Sequence, residues 1–232
     1  MITRPLIKTD SLLIKEVFPT IQGEGPLAGT PAVFVRLARC NLACWFCDTD
    51  FAGGDEIRLP DLLRQVSELG GEIGAIISVQ RPLVVLTGGE PLMQPVGFFV
   101  RSLIGEGWRV QIETDGVLWT ELPESEHLSI VCSPKTPKVH PRLRGRVDAW
   151  KYLIRDGDQF STVDGLPCTN TQDLGKTFEP LAKPTRGAPV YLQPVDEQER
   201  EANYRNTDAA ISRAMTYGYN LCLQQHKIVG LR

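Results

Sequence analysis

Ala32-Val-Phe-Val-Arg-Leu37 leads through Ala38 and Arg39 into Cys40-Asn-Leu-Ala-Cys44-Trp-Phe-Cys47. A short β-rich run thus ends in three cysteines spaced C-x3-C-x2-C. Three close thiolates with no fourth at matching spacing suit a cubane iron–sulfur cluster with one open iron, because four cysteines would close the site. An open iron can bind a small molecule and drive chemistry on it. Zinc also accepts three thiolates, with a histidine or a further cysteine completing a tetrahedron. The remaining Cys132, Cys168, Cys222, His127, His140 and His226 lie at least 80 residues downstream, and none is paired at C-x2-C or H-x3-H spacing. Six cysteines in 232 residues, with no apolar core in the first ten, do not suit a secreted disulfide framework.

The same arrangement, an apolar run followed by a polar or glycine-rich cluster, recurs along the chain. Leu83-Val-Val-Leu86 leads into Thr87-Gly-Gly-Glu-Pro91, and Trp108-Arg-Val-Gln-Ile112 into Glu113-Thr-Asp-Gly116. Leu128-Ser-Ile-Val131 leads into Cys132-Ser-Pro-Lys135, and Val190-Tyr-Leu192 into Gln193-Pro-Val-Asp196. Continuous apolar runs of this length predict strands buried on both faces, hence a parallel sheet. Helices are predicted over Pro60–Leu69 with Gly70 as the stop, over Val96–Ile104, and over Glu197–Tyr217 before Gly218. The stretches 133–149 and 155–188 are rich in Pro, Gly, Asp and Thr and read as long loops, which inside a compact domain are often functional. No repeat or linker divides the chain, so residues 1–232 read as one domain. The fold class is α/β, a partial, open βα-barrel with a parallel sheet and few helices. In such folds the active site gathers at the C-terminal ends of the strands, where all five clusters fall.

Twenty-five basic and 28 acidic residues give a formal charge of −3, which argues against broad nucleic-acid binding through phosphates. No apolar stretch approaches the roughly 18–20 residues of a membrane span. A soluble cytoplasmic protein is expected.

The cysteine loop, with Phe46 before its last cysteine, and Gly88-Gly89-Glu90-Pro91 together resemble the two signatures of the radical S-adenosylmethionine (SAM) enzymes. The resemblance implies a [4Fe-4S] cluster on Cys40, Cys44 and Cys47, with the amino and carboxylate groups of SAM chelating the open iron. The reduced cluster then splits the sulfonium, and a 5′-deoxyadenosyl radical takes a hydrogen atom from substrate. Gly88 and Gly89 would let backbone carbonyls approach the SAM amino group, and Glu90 would place negative charge near it. Alone, these four residues would read as a glycine turn between strand and helix.

A narrower resemblance covers most of the chain. Glu16-Val-Phe-Pro-Thr-Ile-Gln-Gly-Glu-Gly25, Phe34-Val-Arg36 and Cys44-Trp-Phe-Cys-Asp-Thr49 are similar to the 7-carboxy-7-deazaguanine synthase family. So are Leu86–Pro91, Glu113–Gly116, Ser133–Lys135, Gln193–Asp196 and Leu223-Gln-Gln-His-Lys227. It implies a lyase that contracts 6-carboxy-5,6,7,8-tetrahydropterin to 7-carboxy-7-deazaguanine with loss of ammonia. SAM is regenerated, Mg²⁺ assists, and the product feeds queuosine and other 7-deazapurines. A homodimer and an electron donor such as flavodoxin are implied too.

On this resemblance Ile21, Gln22 and Gly23 hold the substrate, Gln22 both donating and accepting; otherwise Gln22–Gly25 is a flexible turn. Arg36 pairs with the substrate carboxylate through its planar fork. Thr87 contacts substrate, and Glu113 touches either substrate or the SAM amino acid. Thr49 offers its hydroxyl to Mg²⁺, which keeps several waters and needs few protein ligands; from residue type alone Asp48-Thr49-Asp50 reads as a capping turn. Phe46 lies beside the adenine, whose edge is read by the backbone of Phe46, Cys47 and Asp48. Gly88, Gly89, Glu90, Ser133, Pro134 and Lys135 line the SAM pocket together with Gln193, Pro194, Val195 and Asp196. Asp196 either bonds the ribose or caps a helix. His226 is a substrate contact or a structural residue, and the main-chain carboxylate of Arg232 reaches the substrate. Cys132, Cys168 and Cys222 need no function, and Cys132 and Cys222 fit buried strand positions. Two other functions fit the cysteines: an activase that makes a glycyl radical on a partner protein, and a non-catalytic zinc protein.

Overall fold

The structure, a computed structural model, describes residues 10–47, 49–74, 82–172 and 179–231. Among them run β1 (Ser11–Ile21), β2 (Pro31–Leu37), β3 (Asp55–Arg58), β4 (Leu83–Gly88) and β5 (Arg109–Thr114). They are followed by β6 (Leu128–Cys132), β7 (Ala149–Ile154), β8 (Val190–Pro194) and β9 (Asn220–Leu221). One sheet holds them in the order β3-β1-β2-β4-β5-β6-β7-β8-β9. From β2 to β9 every pairing is parallel, while β1 and β3 add an antiparallel edge. The open, largely parallel barrel read from the sequence is therefore present, with an antiparallel margin that the sequence reading lacked.

Period-2 alternation divides each parallel strand between two environments. Val33, Val35 and Leu37 of β2, Val84 and Leu86 of β4, and Val110 and Ile112 of β5 enter the main core. Trp150, Tyr152 and Ile154 of β7 and Val190 and Leu192 of β8 join them. The intervening Arg36, Thr87, Glu113, Lys151 and Gln193 face a common cavity. On β1 the register shifts between Ile14 and Glu16. Leu12 and Ile14 point into the core, whereas Glu16 beyond the irregularity lines the cavity. An extra residue in one strand swaps its faces, and here it delivers a carboxylate to the site.

Helices α1 (Leu59–Gly74), α2 (Gly97–Gly105), α3 (Pro141–Arg144), α4 (Arg200–Tyr217) and α5 (Gln225–Ile228) complete the described elements. Only α3, a single turn, interrupts the predicted loop 133–149. The α4 helix buries a stripe of small side chains, Ala202, Ala210 and Ala214, around Asn206. The Asn206 amide donates to Val195 O (2.9 Å) and accepts from Asp156 N (2.7 Å), which ties the exits of β7 and β8 together. Predicted from Glu197, α4 starts at Arg200, because Glu199 caps it by accepting from the N–H groups of Glu201 and Ala202. It ends as expected on Gly218, at φ +72°. Among the described residues no helix is long and apolar enough to cross a membrane.

Gly70 does not stop α1. It lacks the left-handed φ of a C-terminal cap, and a Cβ there would lie 2.3 Å from the Trp108 ring. Its role is contact between helix and core. Gly70→Ala should therefore destabilise the fold by about 1–3 kcal/mol through overpacking. Gly71→Ala, where a Cβ meets nothing within 4 Å, should be neutral or stabilising by up to ~1 kcal/mol. Urea unfolding of the two variants checks the contrast.

Candidate active site

A cavity of about 660 Å³, within the usual range for small-molecule sites, opens at the C-terminal rim of the strands. Cys40, Cys44 and Cys47 line one side of it, the first two half-buried and the third exposed. Their loop leaves β2 through Arg39, a non-glycine residue at φ +73°. The conformation is costly for a side-chain-bearing residue and is held by its surroundings. Arg39 N donates to Phe51 O (2.9 Å) across the loop, and Glu90 N donates to Arg39 O (2.9 Å).

The glycine turn after β4 is built against this stem. Gly89 N donates to Leu37 O (3.1 Å). A Cβ on Gly88, which has φ +120°, would lie 2.2 Å from Leu37 O, and one on Gly89 1.7 Å from Arg39 O. The absent side chains make room first for the cysteine-loop backbone, not for a ligand. The turn directs Glu90 inward, where its carboxylate accepts from Leu92 N (2.9 Å), Thr114 Oγ1 (2.7 Å) and Asp115 N (2.8 Å). Burial, with Asp115 beside it, pushes Glu90 up to about 8 in spite of these donors. A cation on the cavity side would restore its charge.

A second charged cluster forms the opposite wall. Buried Lys151 bonds Glu24 and lies 2.9 Å from Glu113. Gln193 and Gln224 donate to Glu24 Oε1 at 3.2 and 2.8 Å. Gln111 and Gln22 donate to Glu113 Oε1 at 2.5 and 3.3 Å. Burial opposes ionisation of Glu24, but Lys151 and the amide donors override it and hold the carboxyl at about 2. Burial likewise opposes the charge on Lys151, and Glu113 and Glu24 reverse that, raising it above its ordinary value. Two carboxylates and one ammonium leave a net negative wall. Glu24 and Lys151 carried no assigned role in the sequence reading. The signal available for Lys151 was its alternate position between core-facing Trp150 and Tyr152.

Arg36, next to Thr87 across the β2–β4 pairing, has three neighbours. Its Nε donates to Glu16 Oε1 (2.7 Å), its Nη1 to Thr49 Oγ1 (3.3 Å), and its guanidinium stands over the Phe18 ring. Phe46, Gly88, Gly89, Ser133, Lys135, Pro194, Val195 and Asp196 also line the cavity. Half-buried Lys135 donates to Ser133 O (2.8 Å) and Ser133 Oγ (2.5 Å), and desolvation lowers its pKa. Asp196 accepts from Lys227 (2.7 Å), Asn203 (2.8 Å) and Gln198 N (2.9 Å); led by the Lys227 bond, these hold it at about 2. Its helix-cap alternative is overturned, since Glu199 takes that position. His226 lines the cavity and packs on Gly23, where a Cβ would lie 1.9 Å from its ring. Ile21, Gly23 and Pro134 do not line the cavity, and Asp48 and Arg232 lie outside the described residues.

The donor sets fit the groups that the sequence suggests. Among the described residues no three His, Cys, Asp or Glu side chains are grouped to hold a single metal ion. A cubane asks something else of its thiolates, one on each of three separate irons. Burial, with Asp115 and Glu90 nearby, pushes the Cys40 thiol up to about 11, and iron coordination would deprotonate it. Thr49 and the neighbouring carboxylates offer the hard oxygens that magnesium prefers.

Comparison with known proteins bears on the same residues. The radical SAM superfamily profile matches residues 35–135, which include the cysteine loop and the glycine turn. The 7-carboxy-7-deazaguanine synthase of Rhodospirillum rubrum is 48% identical over 230 residues, covering 95% of this chain and 92% of that protein. The 7-carboxy-7-deazaguanine synthase of Rickettsia prowazekii is 34% identical over 226 residues, covering 95% and 88%. A crystal structure of QueE from Escherichia coli superposes with a TM-score of 0.64 at 22% identity, over 93% of this chain and 95% of that one, which shows a common fold.

The charged wall makes two predictions. Lys151→Met should cost up to about 3–5 kcal/mol, because it leaves two largely buried carboxylates without their cation. Adding Glu24→Gln and Glu113→Gln should recover most of that loss, as chemical denaturation would show. Glu24 is held below its unfolded value of 4.5. Its stabilisation is therefore complete above about pH 4.5 and lost as pH falls toward 2. Glu24→Gln should flatten that part of the stability–pH curve.

Proposed function

This chain belongs to the 7-carboxy-7-deazaguanine synthase family of radical SAM enzymes, and on that premise we propose how its residues divide the work. The enzyme is a carbon–nitrogen lyase that converts 6-carboxy-5,6,7,8-tetrahydropterin to 7-carboxy-7-deazaguanine and ammonia. The observation that carries the assignment is 48% identity across 95% of the chain. The one cavity that holds the cysteine loop also holds an arginine and a carboxylate wall, as a carboxypterin would require.

Cys40, Cys44 and Cys47 would hold a [4Fe-4S] cluster, which together with SAM supplies the radical that starts the ring contraction. Glu90, directed inward by the glycine turn and lining the cavity, accepts the SAM ammonium. Phe46 and Cys47 flank the adenine, Ser133 and Lys135 line the pocket, and Gln193–Asp196 receive the ribose. Arg36 clamps the pterin carboxylate, with Glu16 and Phe18 fixing the plane of its guanidinium. Glu24 and Glu113 present acceptors to the amino edge of the pterin, and Lys151 bridges the two and keeps Glu24 ionised. Gln22 supplies an amide contact, with Thr87 and His226 beside the ring. Thr49, beside Arg36, gives Mg²⁺ a ligand next to the substrate carboxylate. We further place the enzyme in the cytoplasm as a homodimer reduced by a flavodoxin-type donor, with residues 1–232 as one catalytic domain.

Anaerobic incubation of the reconstituted enzyme with SAM, reductant, Mg²⁺ and 6-carboxytetrahydropterin should yield 7-carboxy-7-deazaguanine with SAM regenerated. Reductive SAM cleavage without that product would reject the substrate. Arg36→Lys loses the bidentate fork and should raise KM for the pterin about 10- to 100-fold, the equivalent of a charged hydrogen bond of roughly 1.5–3 kcal/mol. An unchanged KM would remove Arg36 from the carboxylate.

A further inference from the structure

The long β7–β8 loop returns to the cysteine loop and places one amide on a cysteine sulfur. Gln172 Nε2 lies 3.2 Å from Cys44 Sγ, and Gln172 Oε1 accepts Ala43 N–H at 2.9 Å. The second contact fixes which way the amide faces, because the oxygen is committed to a backbone donor. Nε2 therefore has two protons to place: Thr171 Oγ1 at 2.8 Å takes one, and Cys44 Sγ is left for the other. Thr171 Oγ1 also stands 3.4 Å from Cys44 Sγ, but it donates to Lys135 O at 3.2 Å. The turn is itself braced, since Gln172 N donates to Asn170 Oδ1 (2.9 Å) and Thr171 N to Lys135 O (3.2 Å). A side chain distant in sequence is thus held with its N–H aimed at the middle cysteine.

We propose that Gln172 sets the reduction potential of the cluster by hydrogen-bonding the Cys44 sulfur; the inference rests on the cluster proposed at Cys40, Cys44 and Cys47. Hydrogen bonds to cluster sulfurs are one of the recognised determinants of potential. A donor on the thiolate stabilises the reduced state, which carries one more electron, over the oxidised state, and so makes the cluster easier to reduce. Gln172 touches neither the reacting atoms nor the substrate in this scheme. It is a positioning residue that acts through Cys44.

The test is an EPR-monitored redox titration of the anaerobically reconstituted full chain, with iron content measured on each sample. Gln172→Leu removes the donor without adding charge. At a fixed potential its reduced-to-oxidised ratio should fall about tenfold, a midpoint shift of ~59 mV to the negative for a one-electron couple. Gln172→Glu keeps an oxygen for Ala43 N–H but replaces the donor with an anionic acceptor, so its midpoint should fall further. Full iron loading with a midpoint equal to wild type in Gln172→Leu would overturn the inference. So would failure of both variants to retain iron, which would make Gln172 a structural clamp. A wild-type protein that assembles no cluster would instead reject the underlying cluster assignment, and the inference with it.

Discussion

The site depends on the close approach of two backbone segments, Gly88–Gly89 after β4 and Leu37–Cys40 after β2. Side chains at either glycine would drive into carbonyl oxygens of the neighbouring segment. With none present, Gly89 N and Glu90 N bond Leu37 O and Arg39 O, and the cysteine loop leaves the sheet from a fixed stem. Parallel pairing of β2 and β4 brings the segments side by side, because both exits lie at the same end of the sheet. The same turn buries Glu90 against Thr114 and Asp115 and thereby locks the third strand exit to the first two.

Across the cavity the constraint is electrostatic. Lys151 would be costly alone in the interior, as would Glu24 or Glu113. Together they form a buried network whose amide donors occupy part of the carboxylate lone-pair capacity. Such a network contributes little net stability compared with an apolar core, and its value lies in specificity. The cavity therefore has a soft thiolate side and a negative, amide-rich side, with Arg36 between strands that serve both. This asymmetry suits a substrate with one anionic end and one edge rich in donors.

Much of this was legible in the sequence because most of the parallel strands begin in apolar runs and turn polar toward their C-terminal ends, where they meet the cavity. β2, β4, β5, β6 and β8 stood out as continuous runs, each with its chemistry immediately after it. β7 escaped because Lys151 interrupts its run, and β1 because Lys15, Glu16 and Pro19 break its pattern. The Lys151–Glu24 pair spans 127 residues of sequence, and no local spacing marks it. Gly70 was misread for a related reason: a glycine that ends a helix and one that admits a tryptophan ring look alike until Trp108 is in place. Motif residues were found by resemblance, whereas the groups that orient them, such as Glu16, Glu24 and Gln172, belong to the tertiary structure.

The most direct test of the central claim is an anaerobic crystal structure of the reconstituted enzyme with SAM and 6-carboxytetrahydropterin. The account predicts the cluster on Cys40, Cys44 and Cys47, the pterin carboxylate on Arg36, and the amino edge of the ring against Glu24 and Glu113. A pterin bound with its carboxylate away from Arg36, or its amino edge turned from those two carboxylates, would contradict it.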